Sequence, residues 1–152
     1  MLFLICLNFA KKMPMNPFIL KDYSGPEFFL IAVELWSGRQ NVMIGGEVGY
    51  TIGGAYTSLS GFLDRGNPVS NTMGTVQLLT LARLLQKNGY EFWNLGHPHM
   101  EYKVRIGAKI LPRPEFLKRW LHARELRPVV ALEECAGVRF SCLNVLTSIT
   151  LS

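Results

Sequence analysis

His97-Pro98-His99-Met100-Glu101 brings three polar side chains into five residues, and Asn94 stands three positions ahead of His97. His97 can act as a base, and Glu101 can accept a proton from a reacting group. Asn94 can donate and accept hydrogen bonds but cannot serve as a base. These three are the candidate catalytic residues. A metal reading fails because residues two apart diverge on a helix. Pro98 also imposes an extended or turn geometry, and no fourth ligand is evident. No metal and no cofactor are expected.

Two other segments invite a ligand. Ser70-Asn71-Thr72-Met73-Gly74-Thr75 precedes a helical run, where free N–H groups and the positive helix end favour an anion; Asn71 and Thr72 are the candidate phosphate contacts there. The segment GGEVGYTIGG (45–54) is not a P-loop, because no Gly-Lys-Ser/Thr follows. It is not a dinucleotide fingerprint either, because it lies within strands rather than between a strand and a helix. Its glycines read as turns, bulges or close approaches.

These groups need a scaffold. The chain has 152 residues, 49% hydrophobic and 18% charged. That suits one domain, or a piece of a larger one, and argues against disorder. No run reaches the 18 or so apolar residues of a membrane span, so no membrane association is expected. MLFLICLNF (1–9) is too short for a signal peptide, and no positive residue precedes it; it reads as a buried or frayed strand. The three cysteines (Cys6, Cys135, Cys142) are too scattered for a disulfide framework and fit a reducing, cytoplasmic setting. Net charge is +5. Between Arg83 and Arg127 stand ten Lys/Arg and four Glu, a net +6, leaving −1 for the rest. A basic C-terminal half suits a polyanion such as tRNA, and Lys118 and Arg119 are its candidate contacts.

Residues 1–26, interrupted by Pro14, Pro17, Gly25 and Pro26, read as irregular. Phe28–Leu35, Val42–Ile52 and Ala55–Leu59 read as three consecutive antiparallel strands, the last two joined at Gly53-Gly54. A helix over Gly74–Lys87 follows, with Leu78, Leu81, Ala82 and Leu85 on one face, stopped by Asn88-Gly89. Tyr90–Leu95 reads as a short central strand, 98–106 as a short helix and Lys109–Leu111 as a strand. A final helix has Pro114 at its first position and an apolar stripe of Phe116, Leu117, Trp120 and Leu121 that reads as core rather than as a recognition surface. The apolar tail after Arg127 suggests one or two further strands. The expected fold is α/β (α+β): a mixed sheet that begins as an antiparallel meander and continues with alternating helices and strands. The expected division is an N-terminal segment (1–26), a main domain (27–126) and a tail (127–152).

Four segments in order resemble leucyl/phenylalanyl-tRNA–protein transferases: GGEVGYTIGGAYTSLSGF (45–62), SNTMGTVQLLTLARLLQKNGY (70–90), FWNLGH (92–97) and RIGAKILPRPEFLKRWL (105–121). They lie within residues 45–121, about half the chain. The resemblance implies an acetyltransferase-like (GNAT) fold and transfer of an amino acid of the Leu or Phe type from aminoacyl-tRNA to a protein N-terminus. The acceptor would begin with Arg or Lys, and the product would be marked for degradation. The resemblance also implies an apolar side-chain pocket, to which Glu47, Tyr56, Leu59, Ser60, Leu85 and Trp93 are assigned. A monomer is expected.

The chain departs from that family at defined positions. Asn94 stands where the family usually has Asp, and Gly96 where it has Gln. Ser58-Leu59-Ser60 replaces Gly-Glu-Ser, and Glu47 replaces a Met. Two other functions compete: a non-catalytic module that binds tRNA or protein N-termini, and an acyl-CoA N-acyltransferase. The latter would need a Gly-rich pyrophosphate loop, and the 70–75 segment has one glycine.

Overall fold

The computed structural model describes residues 2–8, 26–38, 41–66, 70–98 and 100–148. The sequence readings for 9–25, 67–69, His99 and 149–152 lie outside the described residues. Among the described residues the fold is α+β, a six-stranded mixed sheet with four helices. In chain order its elements are β1 (Leu2–Asn8), β2 (Phe28–Ser37), β3 (Val42–Ile52), β4 (Ala55–Leu63), α1 (Ser70–Lys87), β5 (Phe92–Asn94), α2 (Glu101–Arg105), α3 (Arg113–Arg124), β6 (Arg139–Ser141) and α4 (Cys142–Thr147). The spatial order is β5-β4-β3-β2-β1-β6. Every neighbouring pair is antiparallel except β4 and β5. Helix α1 makes the long connection that a parallel pair requires.

The meander of β2, β3 and β4 follows the expected order, and β4 runs four residues further than its apolar pattern suggested. Leu59 is its extra residue: Ser58 faces Gly49 while Ser60 faces Val48. Such a bulge bends the strand and turns its side chains.

Four expectations are corrected. The irregular reading of 1–26 fails for Leu2–Asn8, where the strand reading of 1–9 holds instead: the segment forms a strand between β2 and β6. Both partners are remote in sequence, whereas the proline punctuation lies after this strand. Lys109–Leu111 forms no strand and pairs with no described strand. It is three residues long and runs into Pro112, which has no N–H to donate. The described part of the tail holds one strand and a helix rather than strands alone. Ser141 Oγ caps α4 by accepting from Asn144 N–H at 3.4 Å, and Cys142 and Val145 are buried. Finally, half of the α3 stripe is not core, although Phe116 and Trp120 are half-buried. Leu117 and Leu121 are exposed, and Phe116 makes an edge contact with Phe92 at 5.3 Å between ring centres.

The main core lies between one face of the sheet and helices α1 and α4. Leu4, Ile31, Val33 and Leu35 meet Leu81, Leu84 and Leu85, with Cys142 and Val145 closing one end. Helix α1 stops as its sequence predicts: Gly89 has φ +78 and Tyr90 N–H returns to the Leu85 carbonyl at 3.0 Å. The three cysteines are free and buried.

The β3–β4 hairpin anchors α3. Gly54 N–H donates to the Ala123 carbonyl at 2.9 Å. Gly53 has φ +53, and a Cβ there would overlap the Arg124 carbonyl. Gly53→Ala is therefore expected to lower stability by roughly 2–4 kcal/mol, combining left-handed strain with overpacking. Urea unfolding of the two proteins measures it; an equal midpoint would mean that α3 does not dock on this turn.

Candidate functional site

Four side chains on one face of adjacent strands form a polar chain, buried at Glu47 and Tyr56 and half-buried at Ser58 and Trp93. Glu47 comes from β3, Tyr56 and Ser58 from β4, and Trp93 from β5, where it pairs in register with Tyr56. Tyr56 Oη donates to Glu47 Oε1 at 2.7 Å, and Ser58 Oγ donates to the same oxygen at 2.9 Å. Trp93 Nε1 donates to Ser58 Oγ at 2.9 Å. The order Trp93, Ser58, Glu47, Tyr56 thus links three strands through one carboxylate.

The glycines of β3 allow this arrangement. A Cβ on Gly49 would collide with the Tyr56 hydroxyl, so only glycine lets the phenol pass over β3 to Glu47. The close approach foreseen for this strand is thus made in part by a side chain.

Glu47 is 6% exposed. Burial raises its pKa above the ordinary carboxylate value; the bonds from Tyr56 and Ser58 and the nearby Lys103 pull it back in part. Burial, followed by the same carboxylate, holds the Tyr56 phenol well above its usual value. Tyr56 therefore serves as a donor, and Glu47 is a carboxylate primed to take a proton.

Next to this chain, at the carboxyl end of β5, lies a cavity of about 540 Å³. Trp93, Asn94, Gly96 and His97 form one wall. Lys103 and the 106–111 segment form another, Phe116 and Arg119 a third, and Ala82 is the contribution of α1. Asn94 Oδ1 accepts the Gly96 N–H at 2.9 Å, which folds the strand tip into a tight turn. Gly96 has φ +72, a conformation that glycine adopts without strain. Lys103 is 8% exposed. Its Nζ donates to the Leu95 carbonyl through a short bond and to the His97 carbonyl at 3.1 Å.

The sequence-derived residues divide. Asn94, His97, Trp93 and Arg119 line the cavity, and Glu47 sits behind Trp93 and Ser58. Glu101 is elsewhere: its side chain is 91% exposed and pairs with Arg105 at 3.3 Å, because i,i+4 partners on a short surface helix meet in solvent. Tyr56 and Leu85 belong to the core. Leu59, on the bulge, is 59% exposed, and Ser60 is exposed too. Of the proposed apolar pocket residues, only Trp93 lines the cavity; Phe92, Ile106, Leu111 and Phe116 supply its other apolar surface. Thr72 is exposed at the opening of α1 and is not among the described residues around the cavity. The side chain of Asn71 lies outside the described residues. Lys118 is exposed, and Arg119 pairs with Glu115.

Ser58 and Lys103 went unassigned from sequence. In the run EYKVR, Lys103 reads as an ordinary surface lysine, and no local signal marks its burial. Among the described residues no group of three His, Cys, Asp or Glu could hold a metal, and no helix is long and apolar enough to cross a membrane.

The chain matches no protein-family model and no curated protein.

Proposed function

We propose that this protein transfers an amino acid of the Leu or Phe type from aminoacyl-tRNA to the N-terminal amine of an acceptor polypeptide beginning with Arg or Lys, a modification that marks the acceptor for degradation. The observation that carries this reading is the buried Glu47 carboxylate, held by Tyr56 and Ser58 behind a cavity whose rim includes Lys109 and Arg119. An aminoacyl ester is already activated, so the protein need only align amine and ester, accept a proton and steady the developing oxyanion. Glu47 supplies the proton acceptor, through a short rearrangement at Ser58 and Trp93. The apolar surface of Phe92, Ile106 and Phe116 suits a Leu or Phe side chain. Exposed Arg113, Lys118 and Arg119 suit a phosphate backbone.

Incubation with labelled Leu-tRNA or Phe-tRNA and a peptide beginning with Arg tests the reading; label transferred to the peptide amine supports it, and label that stays on tRNA or goes to water refutes it. Acetyl-CoA in place of tRNA tests the acyl-CoA alternative, which is disfavoured because the 70–75 segment offers a single glycine where a pyrophosphate loop needs several. A non-catalytic binding module is the second reading. It is favoured by the bond that occupies Asn94 Oδ1 and by the exposure of Glu101.

Binding to tRNA should be electrostatic and largely blind to sequence. Each neutralised phosphate contributes a slope of roughly −0.9 in log affinity against log salt. Lys118→Glu with Arg119→Glu should weaken binding at low salt and make the slope shallower by roughly 1–2. Affinity that is flat from low to moderate salt in the unmodified protein would exclude this surface.

A further inference from the structure

Lys103 is a buried cation whose place on the cavity wall is not explained by the acid–base chemistry at Glu47 alone. It occupies the third position of the five-residue α2 and is the buried residue of that helix. Its Nζ is held by the carbonyls of Leu95 and His97. An ammonium has three N–H donors, so one remains beyond these two bonds. Lys103 also forms part of the cavity wall and lies within electrostatic range of Glu47. Tying two carbonyls together requires only a neutral donor such as an amide. A positive charge at that place adds a field in the cavity, where low dielectric strengthens it.

Building on the aminoacyl-transfer reading, we infer that Lys103 is a catalytic residue that binds the carbonyl oxygen of the ester and stabilises the oxyanion formed on it. The amine nitrogen attacks the ester carbon and forms the new C–N bond, while the carbonyl electron pair moves onto oxygen beside Lys103 Nζ. Glu47 takes a proton from the attacking nitrogen. The electron pair then returns, the bond to the tRNA 3′-oxygen breaks, and that oxygen leaves with the proton. The products are a peptide amide and a free tRNA hydroxyl, with no oxidant or further reactant. Two backbone carbonyls fix Nζ before substrate arrives, which is the preorganisation that oxyanion stabilisation requires.

The test compares Lys103→Gln, Lys103→Arg and the unmodified protein. Three quantities are measured: single-turnover transfer from Leu-tRNA to an Arg peptide, affinity for an aminoacyl adenosine with an amide in place of the ester, and melting midpoint. For Lys103→Gln, which keeps a donor for the carbonyls but loses the charge, transfer should fall by roughly 10²–10³-fold. Its affinity for the analogue should stay within about threefold, and its midpoint should stay near that of the unmodified protein. Lys103→Arg should recover part of the rate. A Gln variant as fast as the unmodified protein overturns the inference, as does a rate loss that only follows a loss of analogue affinity. Equal slowing by Gln and Arg overturns it too. Absence of transfer by the unmodified protein removes the function reading and this inference with it; normal transfer by both the unmodified and Gln proteins removes this inference alone.

Discussion

Glu47→Gln should reduce aminoacyl transfer by roughly 10²–10⁴-fold, the range typical of a positioned proton acceptor, while leaving the fold intact. The amide oxygen of Gln can still accept from Tyr56 and Ser58, so the buried bonds that now converge on Glu47 Oε1 survive. What disappears is the ability to take a proton. The pH dependence separates this from a structural role. Burial holds the Glu47 carboxyl above its ordinary 4.5, so the folded chain binds that proton more tightly than the unfolded chain does. Its contribution to stability is therefore greatest below the unfolded value, declines as pH rises through the raised folded value, and is constant above it. The transfer rate moves the opposite way, rising with pH as the carboxylate forms. Glu47→Gln should thus show a melting midpoint at neutral pH equal to or above that of the unmodified protein, and no rise in residual rate across the Glu47 titration. A variant that transfers normally would leave Glu47 as a structural hub. So would one whose losses in rate and midpoint run in parallel.

Asn94→Asp should raise transfer, by up to the 10²–10⁴-fold that a positioned proton acceptor provides. Asn94 lies on the cavity wall, unlike Glu101. Its Oδ1 is an acceptor for Gly96 N–H, and a carboxylate can make the same bond, so the turn at the strand tip should persist. The added negative charge would hold an incoming ammonium near Glu47. Single-turnover rates and melting midpoints for the two proteins decide the matter. Equal rates would place the chemistry entirely at Glu47 and Lys103. A lower midpoint with unchanged rate would show that Asn94 is there for its amide.

Local signals made much of the fold legible. The hairpin at Gly53-Gly54, the end of α1 at Asn88-Gly89 and the start of α3 near Pro114 each depend on backbone preferences of one or two residues. Those preferences act before any tertiary contact forms. The alternation of β2 and β3 and the apolar spacing of α1 likewise carry their own period. In the same way Asn94, Trp93 and His97 could be assigned to a site, because the carboxyl end of a strand beside a helix is a place where ligands gather.

Long-range assembly decided the rest. Leu2–Asn8 is a strand because β2 and β6 flank it, and β6 lies more than 130 residues further along the chain. Leu59 lies off the face of Tyr56 and Ser58 by simple alternation, but Ser60 leaves that face only because a bulge against β3 shifts the phase of β4, a change that a period-two pattern cannot announce. Most of all, the polar chain depends on pairing. Glu47, Ser58 and Trp93 stand 11 and 35 residues apart in sequence, and each could pass for a strand residue of no special role. Only the register of β3 with β4 and of β4 with β5 brings them onto one face, and only the folding of α2 back over the strand tip buries Lys103 beside them. Backbone preferences determined which elements form. Burial on a shared sheet face, which exists only when the strands are paired, decided which side chains meet and which carboxylate is driven above its ordinary pKa.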